Sequence, residues 1–178
     1  ALLLIFSSSR QAVAQGAGSF VGTTHSSPIT LNADDTLMAV VNPDVNTVTF
    51  FDVGGDKNVS LGEIAVGKEP NGVVLSPNGK FAYVANTVDG TVSVLQVDVS
   101  KQPVAAVIAT LAVGIEPYGI AITPNGSKIY VTNSRSNSVS VIDAAKNTVA
   151  KTITNIGPAV GAEPRGIAIT NNGNAEDT

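Results

Sequence analysis

Residues 116–133 read EPYGIAITPNGSKIYVTN, and the same pattern stands both before and after them. Residues 69–86 read EPNGVVLSPNGKFAYVAN and residues 163–174 read EPRGIAITNNGN, so successive copies begin 47 residues apart. A weaker copy, SPITLNADDTLMAVVN, occupies residues 27–42 and lies 44 residues before its match. Similarity at a fixed period of this length is typical of repeat proteins. The sequence therefore predicts three full repeats and the start of a fourth.

The residue types within each repeat favour strands over helices. A period in the forties fits both pairs of helices and the blades of a β-propeller, so it does not decide alone. In the third repeat, Ile120 and Ile122 alternate with smaller residues, and Val139 and Val141 alternate with serines. A period of two is typical of strands, and the Pro-Asn-Gly sequence at 124–126 suits a tight hairpin. We predict an all-β fold, a β-propeller whose blades are four-stranded antiparallel meanders.

Glycine recurs at the start of each predicted innermost strand, at Gly72, Gly119 and Gly166. Blades converge at this point, so we interpret these glycines as positions where a Cβ would not fit. The alternative is that they are ordinary turn glycines.

The predicted second strand carries a motif that resembles a known family. Residues 130–133 read YVTN and residues 83–86 read YVAN, and in this respect the chain resembles the YVTN family of β-propeller repeats, which includes surface-layer-like proteins. The resemblance covers about residues 27–174 and implies seven blades, so this chain would form an open arc of three blades and a fraction. The first repeat departs from the pattern, with AVVN at 39–42 and ADD at 33–35.

The first residues predict export. Residues 1–6 read ALLLIF, and a polar run then leads to the small-residue pattern AVA at 12–14. This is typical of the end of a secretory signal peptide cleaved after Ala14. We therefore expect an extracytoplasmic protein, either periplasmic, on the cell surface or secreted. The alternative is an ordinary N-terminal segment.

The repeats and the leader together predict the organisation of the chain. The segments are a partial signal peptide (1–14), a lead-in with a candidate ring-closing strand at 19–22 (15–26), blade 1 (27–67), blade 2 (68–114), blade 3 (115–161) and the truncated start of blade 4 (162–178). We expect a fragment whose open blade faces allow self-association.

Composition excludes several classes of function. The 178 residues carry a net charge of −4 with only ten Lys and Arg, which argues against a nucleic-acid partner. No stretch is long enough to span a membrane. There is no Cys, so the sequence cannot provide a thiol nucleophile, a Cys-bound zinc site or a c-type haem attachment. The single His, His25, lies before the repeats, so the repeats cannot provide a Ser/His/Asp triad.

Candidate binding residues lie in the loops that enter the innermost strand and leave the second strand, because these loops share one face of a propeller. Within the Glu-Pro-x-Gly frame the third position varies, and loops on a rigid scaffold commonly carry function. The varying residues are Asn71, Tyr118 and Arg165; the alternative is that they are solvated loop residues. We expect a protein or small-molecule ligand on this face.

Two sets of repeated polar residues also lie in these loops: Glu69, Glu116 and Glu163, and Asn42, Asn86 and Asn133. The carboxylates could attract a cation or a basic partner. Because they recur in every repeat, we interpret both sets as hydrogen-bonding parts of the scaffold. At the channel mouth we recognise only acidic residues that recur in every repeat. A catalytic centre would be indicated by residues that occur in a single repeat, and we identify none.

The remaining metal candidate lies in the fourth repeat. Asn172, Asn174 and Glu176 alternate as oxygen donors beside a glycine, a spacing with some likeness to a calcium loop. The alternative is an irregular polar loop, and we predict no cofactor.

Three functions remain open. The first is a non-catalytic, exported binding or cell-surface interaction module. The second is the propeller domain of a periplasmic enzyme, either a metal-dependent lactonase-like hydrolase or an oxidoreductase subunit, with its active-site residues in blades that this sequence lacks; the resemblance implies that such relatives exist. The third is a structural spacer in a surface-layer assembly. The sequence favours the first.

Overall fold

The computed structural model describes residues 24–25, 28–157 and 162–170. Its strands are β1 (Thr24–His25), β2 (Ile29–Leu31), β3 (Leu37–Asn42), β4 (Thr47–Asp52), β5 (Val59–Ala65), β6 (Pro70–Leu75), β7 (Phe81–Asn86), β8 (Thr91–Val97), β9 (Ala105–Ala112), β10 (Pro117–Ile122), β11 (Lys128–Asn133), β12 (Ser138–Asp143), β13 (Thr148–Thr154) and β14 (Ala168–Ile169). Two 3-10 turns, Pro43–Val45 and Gly54–Asp56, join strands of the first repeat. Among the described residues, no helix has the length and hydropathy needed to cross a bilayer.

The strands form three four-stranded antiparallel sheets in chain order, β2 to β5, β6 to β9 and β10 to β13. Each sheet is one repeat, and each is a meander in which neighbouring strands pair directly. We refer to them as blades 1, 2 and 3. The predicted all-β propeller fold with four-stranded antiparallel blades is confirmed.

Two apolar layers hold the blades face to face. The first layer lies between blades 1 and 2 and includes Phe50, Val48 and Leu95. The second lies between blades 2 and 3 and includes Tyr83, Ile120 and other aliphatic side chains of the inner strands. The outermost strands, in contrast, are largely exposed. Burial on both faces of the inner strands explains why they read as nearly continuous apolar runs.

The hairpin between the first two strands of each blade needs a left-handed residue. Gly79 (φ 67°) and Gly126 (φ 72°) supply it in blades 2 and 3. In blade 1, where the Pro-Asn-Gly sequence is missing, Asp35 takes the same conformation with φ 54°. The Asn32 side chain supports this turn, since its Oδ1 accepts hydrogen bonds from the backbone amides of Thr36 and Leu37 at 3.0 and 2.9 Å.

Gly72 lies where two innermost strands approach each other most closely. A Cβ on Gly72 would lie 2.6 Å from the carbonyl oxygen of Tyr118 and 2.9 Å from Cγ2 of Ile120, both in blade 3. The prediction that a side chain does not fit here is confirmed. Gly166 does not test it, because no described strand packs on that side and a Cβ there would meet nothing within 4 Å.

The lead-in and the fourth repeat meet in a small two-stranded sheet. β1 pairs antiparallel with β14, so that Thr24 lies opposite Ile169 and His25 opposite Ala168. The candidate ring-closing strand at 19–22 lies outside the described residues, as does the leader at 1–14.

Candidate functional site

The loop that enters each innermost strand contacts the loop that leaves the second strand. The amide of Thr87 donates to the carbonyl of Glu69 at 3.0 Å, and the amide of Ser134 donates to the carbonyl of Glu116 at 2.8 Å. The two loops therefore share one end of each blade, as the sequence predicts. We call this end the upper face.

A buried asparagine fixes the two loops of blade 2. Asn86 is completely buried, and its Oδ1 accepts from the amide of Gly67 at 3.1 Å. Its Nδ2 donates to the hydroxyls of Thr91 and Ser93 at 3.0 and 2.9 Å. One side chain thus satisfies a loop amide and two hydroxyls of the third strand.

Asn133 repeats this arrangement in blade 3, with the amide of Gly114 and the hydroxyls of Ser138 and Ser140 each at 3.0 Å. The interpretation of Asn86 and Asn133 as scaffold is confirmed. Asn42 of blade 1 donates only to hydroxyls of the third strand among the described residues.

An open groove of about 820 Å³ lies on the upper face between blades 2 and 3. We call it the upper groove. It is lined by Glu69, Asn71, Thr87, Val88, Asp89, Gly90, Val113, Gly114, Ile115, Glu116, Tyr118 and Arg165. The fold therefore brings together five of the six candidate binding residues. Glu163 does not line the groove, although its carboxylate lies 3.5 Å from Arg165. A binding role for these residues stays a prediction.

Tyr118 and Arg165 form one wall of the upper groove. The guanidinium of Arg165 lies 5.3 Å from the centre of the Tyr118 ring, within the range of a cation–π contact. Its second partner, the Glu163 carboxylate, is half exposed and 3.5 Å away, so that ion pair contributes little. Arg165 therefore presents positive charge to the groove while the tyrosine ring limits its movement.

Asn71 is held in place by hydrogen bonds that connect blades 2 and 3. Its Nδ2 donates to the hydroxyl of Thr87 at 2.8 Å and to the carbonyl of Glu69 at 3.3 Å. The Thr87 hydroxyl in turn donates to the carbonyl of Pro117 at 2.8 Å. Both hydrogens of the Asn71 amide are occupied, which leaves Oδ1 as its group for a ligand.

The repeated glutamates contribute to the scaffold through their backbone rather than through their carboxylates. Glu69 and Glu116 have left-handed backbones with φ of 52° and 53°. Their carbonyls accept the loop amides described above, but Glu116 uses its carboxylate for an exposed ion pair with Arg135 at 3.7 Å. Among the described residues, the Glu69 carboxylate has no hydrogen bond or ion pair. Glu69 and Glu116 are thus hydrogen-bonding parts of the scaffold through their backbone, and a binding role of their carboxylates stays a prediction.

Asp89 is a one-off acidic residue at the channel mouth that the sequence interpretation missed. Its Oδ2 accepts from the amide of Lys68 at 2.8 Å. In blade 3 the equivalent residue is Ser136, whose hydroxyl accepts from the amide of Ile115 at 3.0 Å. Alignment of the loops after the second strands, TVDG with SRSN, would have shown the substitution.

The described residues do not provide an obvious metal site. Across residues 24–25, 28–157 and 162–170, no three His, Cys, Asp or Glu side chains cluster as a metal would require. The calcium candidates Asn172, Asn174 and Glu176 lie outside the described residues.

A family model supplies the deciding comparison. The lactonase family, described as seven-bladed β-propellers, matches residues 6–115 and 63–159. This chain belongs to the lactonase family. No curated protein sequence matches it significantly.

Solved structures resemble this lactonase-family chain over most of its length. A chain of hydrazine synthase from Kuenenia stuttgartiensis is 30% identical with a TM-score of 0.63, over 72% of this chain and 37% of that one. A candidate 6-phosphogluconolactonase from Bacteroides fragilis is 21% identical with a TM-score of 0.66, and the periplasmic gluconolactonase of Pseudomonas aeruginosa is 21% identical with a TM-score of 0.62. Each covers 79% of this chain and 41% of its own length, so this chain spans about two fifths of these proteins.

The upper groove of this lactonase-family chain combines groups with different chemical capacities. It offers a carboxylate without a partner at Glu69, a guanidinium at Arg165 and an aromatic ring at Tyr118. A carboxylate can accept a proton, a guanidinium can stabilise negative charge, and an aromatic face can pack on a ring.

Proposed function

We propose that this chain is part of an enzyme that hydrolyses a lactone, with the upper groove as its substrate site. The observation that carries the proposal is the match of the lactonase family across residues 6–159. The groove supports it because it gathers polar groups from three successive repeats on the upper face, where loops on a rigid scaffold commonly bind ligands.

Hydrolysis of a lactone needs few groups. Water adds to the carbonyl carbon, the ring C–O bond breaks, and a proton passes from the water to the departing alkoxide oxygen. We assign the Glu69 carboxylate as the base that takes the proton from water, since it has no other partner among the described residues. We assign Arg165 to negative charge on the substrate or on the developing oxyanion.

The described residues do not form a three-ligand metal set, so no step of this proposal passes through a metal ion.

The experiment is a hydrolysis assay on the full-length protein, with acid release measured at constant pH. Glucono-1,5-lactone and its 6-phosphate serve as substrates. We expect Glu69→Gln to reduce kcat by about 100-fold, a typical loss when a general base is removed. We expect Arg165→Gln to raise KM more for the phosphorylated lactone, because only that substrate carries a permanent negative charge.

Asp44→Asn is the control, because Asp44 does not line the upper groove. A folded full-length protein that hydrolyses neither lactone would overturn the proposal.

The second candidate is the non-catalytic, exported binding module of the YVTN type. The specific observation in its favour is the YVTN sequence at 130–133 together with its diverged copy at 83–86. The 30% identity with a hydrazine synthase chain adds a third setting, a propeller that is part of a different enzyme. In both cases the groove would bind a ligand or partner without turnover, and the same assay separates these functions from lactone hydrolysis.

Export is part of the second candidate and is compatible with the first. It rests on the leader-like pattern of residues 1–14.

A further inference from the structure

A second groove lies at the opposite end of the blades, also between blades 2 and 3. Its volume is about 560 Å³, within the range of small-molecule sites. We call it the lower groove. Its walls include Pro77, Phe81, Tyr83, Ile142 and Ala144, and its rim includes Lys128. It shares no residue with the upper groove.

The Tyr83 hydroxyl is the first group in this groove that lacks a partner. Tyr83 is only 2% exposed, yet it lines the groove, and its hydroxyl makes no hydrogen bond with any described residue. The hydroxyl oxygen is not among the fully buried polar atoms that lack a partner within the described structure, so it is accessible from the groove, where a ligand can accept its hydrogen bond. Burial raises the pKa of Tyr83 further above neutrality, so the hydroxyl is protonated and can donate.

The Lys128 ammonium is the second such group. Lys128 lies directly opposite Asp143 across the β11–β12 pair, where an ion pair would be expected. The Asp143 carboxylate instead binds the Lys146 ammonium at 2.9 Å and accepts from the backbone amides of Ala145 and Lys146. Lys128 has no ion pair with any described residue, and the one acidic side chain lining the groove is already neutralised.

We propose that the lower groove binds a small amphipathic organic acid. The apolar body of the ligand lies against Phe81 and Ile142, its anionic group faces Lys128, and one of its oxygens accepts a hydrogen bond from Tyr83. The occupant is an anion because the unpaired charge of the groove is positive. This site is separate from the upper groove and does not depend on lactone hydrolysis.

The equivalent groove between blades 1 and 2 has a balanced charge. It is lined by Asp34, Asp52, Asp98 and Lys80. Asp52 and Asp98 form ion pairs with Lys57 and Lys101, which leaves one carboxylate and one ammonium without an ion pair among the described residues. An unpaired positive charge without an unpaired acid therefore distinguishes the lower groove.

The test uses the full-length protein and two matched probes, 2-naphthoate and 2-naphthamide, titrated by isothermal calorimetry. The probes share the ring and the acceptor oxygen but differ in charge. We expect naphthoate to bind more tightly by about fivefold, the value of one partly exposed ion pair. Lys128→Met should abolish this preference and leave naphthamide binding unchanged. Tyr83→Phe should weaken both probes by about two- to tenfold, the value of one hydrogen bond.

Two control variants isolate the site. Tyr130→Phe changes the equivalent tyrosine of blade 3, which does not line the groove, and Lys80→Met removes the lysine of the neighbouring groove. Neither should change either affinity. Equal affinity of the two probes for the unaltered protein would overturn the proposal, and so would naphthoate binding that is unaffected by Lys128→Met. Lactone hydrolysis in the same preparations reports separately on the upper groove.

Discussion

Asn86 and Asn133 explain why two distant sequence features recur together. A Cβ on Gly67 would lie 2.5 Å from the Asn86 side chain, and a Cβ on Gly114 would lie 2.6 Å from Asn133. The asparagine fills the space above the glycine and accepts the hydrogen bond of its amide. The Val-Gly that ends each blade and the Asn that ends each second strand are therefore one packing unit, not two motifs.

Asp98 provides a prediction about acid stability. Its carboxylate lies in the β8–β9 loop and accepts hydrogen bonds from the Lys101 ammonium at 2.8 Å and the Ser100 hydroxyl at 2.6 Å. These bonds, that of Lys101 first, lower the pKa of Asp98 from its ordinary 3.8 to about 2. Because the folded state has the lower pKa, the contribution is present above about pH 4 and disappears as the pH falls towards 2.

We therefore expect the melting temperature of the unaltered protein to fall more steeply between pH 4 and pH 2 than that of Asp98→Asn. Circular dichroism melts at closely spaced pH values would measure this. Asp44→Asn is the control, because Asp44 has no ion pair within the described structure. Parallel curves for the protein and Asp98→Asn would contradict the assignment.

At the scale of the blade, Gly72 tests how closely neighbouring sheets approach. Gly72→Ala would place a methyl group against the Tyr118 carbonyl, which cannot rotate away as a side chain would. We expect a loss of about 1–3 kcal/mol in the free energy of unfolding, as for other overpacked sites. Urea denaturation measures this loss.

Gly166→Ala is the matched control, since it changes the same position of the Glu-Pro-x-Gly frame where a Cβ meets nothing. We expect it to change the stability of this 178-residue chain by less than about 0.5 kcal/mol. Similar losses for both glycines would show that conformational freedom, rather than contact between blades, sets their requirement.

Much of the blade was predictable because each repeat provides evidence about the others. Strand order, the shared face of the two loops and the asparagine scaffold follow from patterns that recur 47 residues apart. What differs between repeats was harder to predict. Tyr83 and Tyr130 occupy the same motif position, yet Tyr83 is buried beneath blade 3 while Tyr130 is half-buried. The alternation of residues within a strand does not predict which neighbouring blade, if any, packs on each face of that strand.

In the candidate site, too, the features that differ between repeats are harder to predict than those that recur. The variable third positions led to Asn71, Tyr118 and Arg165, which do line one groove. Asp89 stands in a loop that the repeat motifs do not include, so only an alignment of these loops identifies it. Repetition assigns Glu69 to the scaffold but does not distinguish a role of its backbone from a role of its carboxylate.

At the scale of the whole chain, the outer face of blade 1 is apolar and accessible. Ile29 and Leu31 are each 47% exposed, and strand register places Met38 and Val40 on the same face. Exposed apolar faces of this kind favour association. We propose that the 178-residue chain self-associates through this face, and we expect Leu31→Lys to lower its average mass in sedimentation velocity.

Val45→Lys is the control for that experiment. Val45 is 60% exposed but lies in the 3-10 turn after β3, away from the apolar face. Equal effects of the two substitutions would indicate that added charge, rather than the blade face, controls association.

The left-handed backbone at Glu69 and Glu116 separates two requirements of the upper face. A residue with a side chain carries a cost of about 1 kcal/mol in this conformation, and glycine would remove it. Glycine at either position would therefore stabilise the loop and at the same time remove a carboxylate from the upper groove. The rigidity of the loops and the chemistry of the groove can thus be varied in opposite directions by a single substitution.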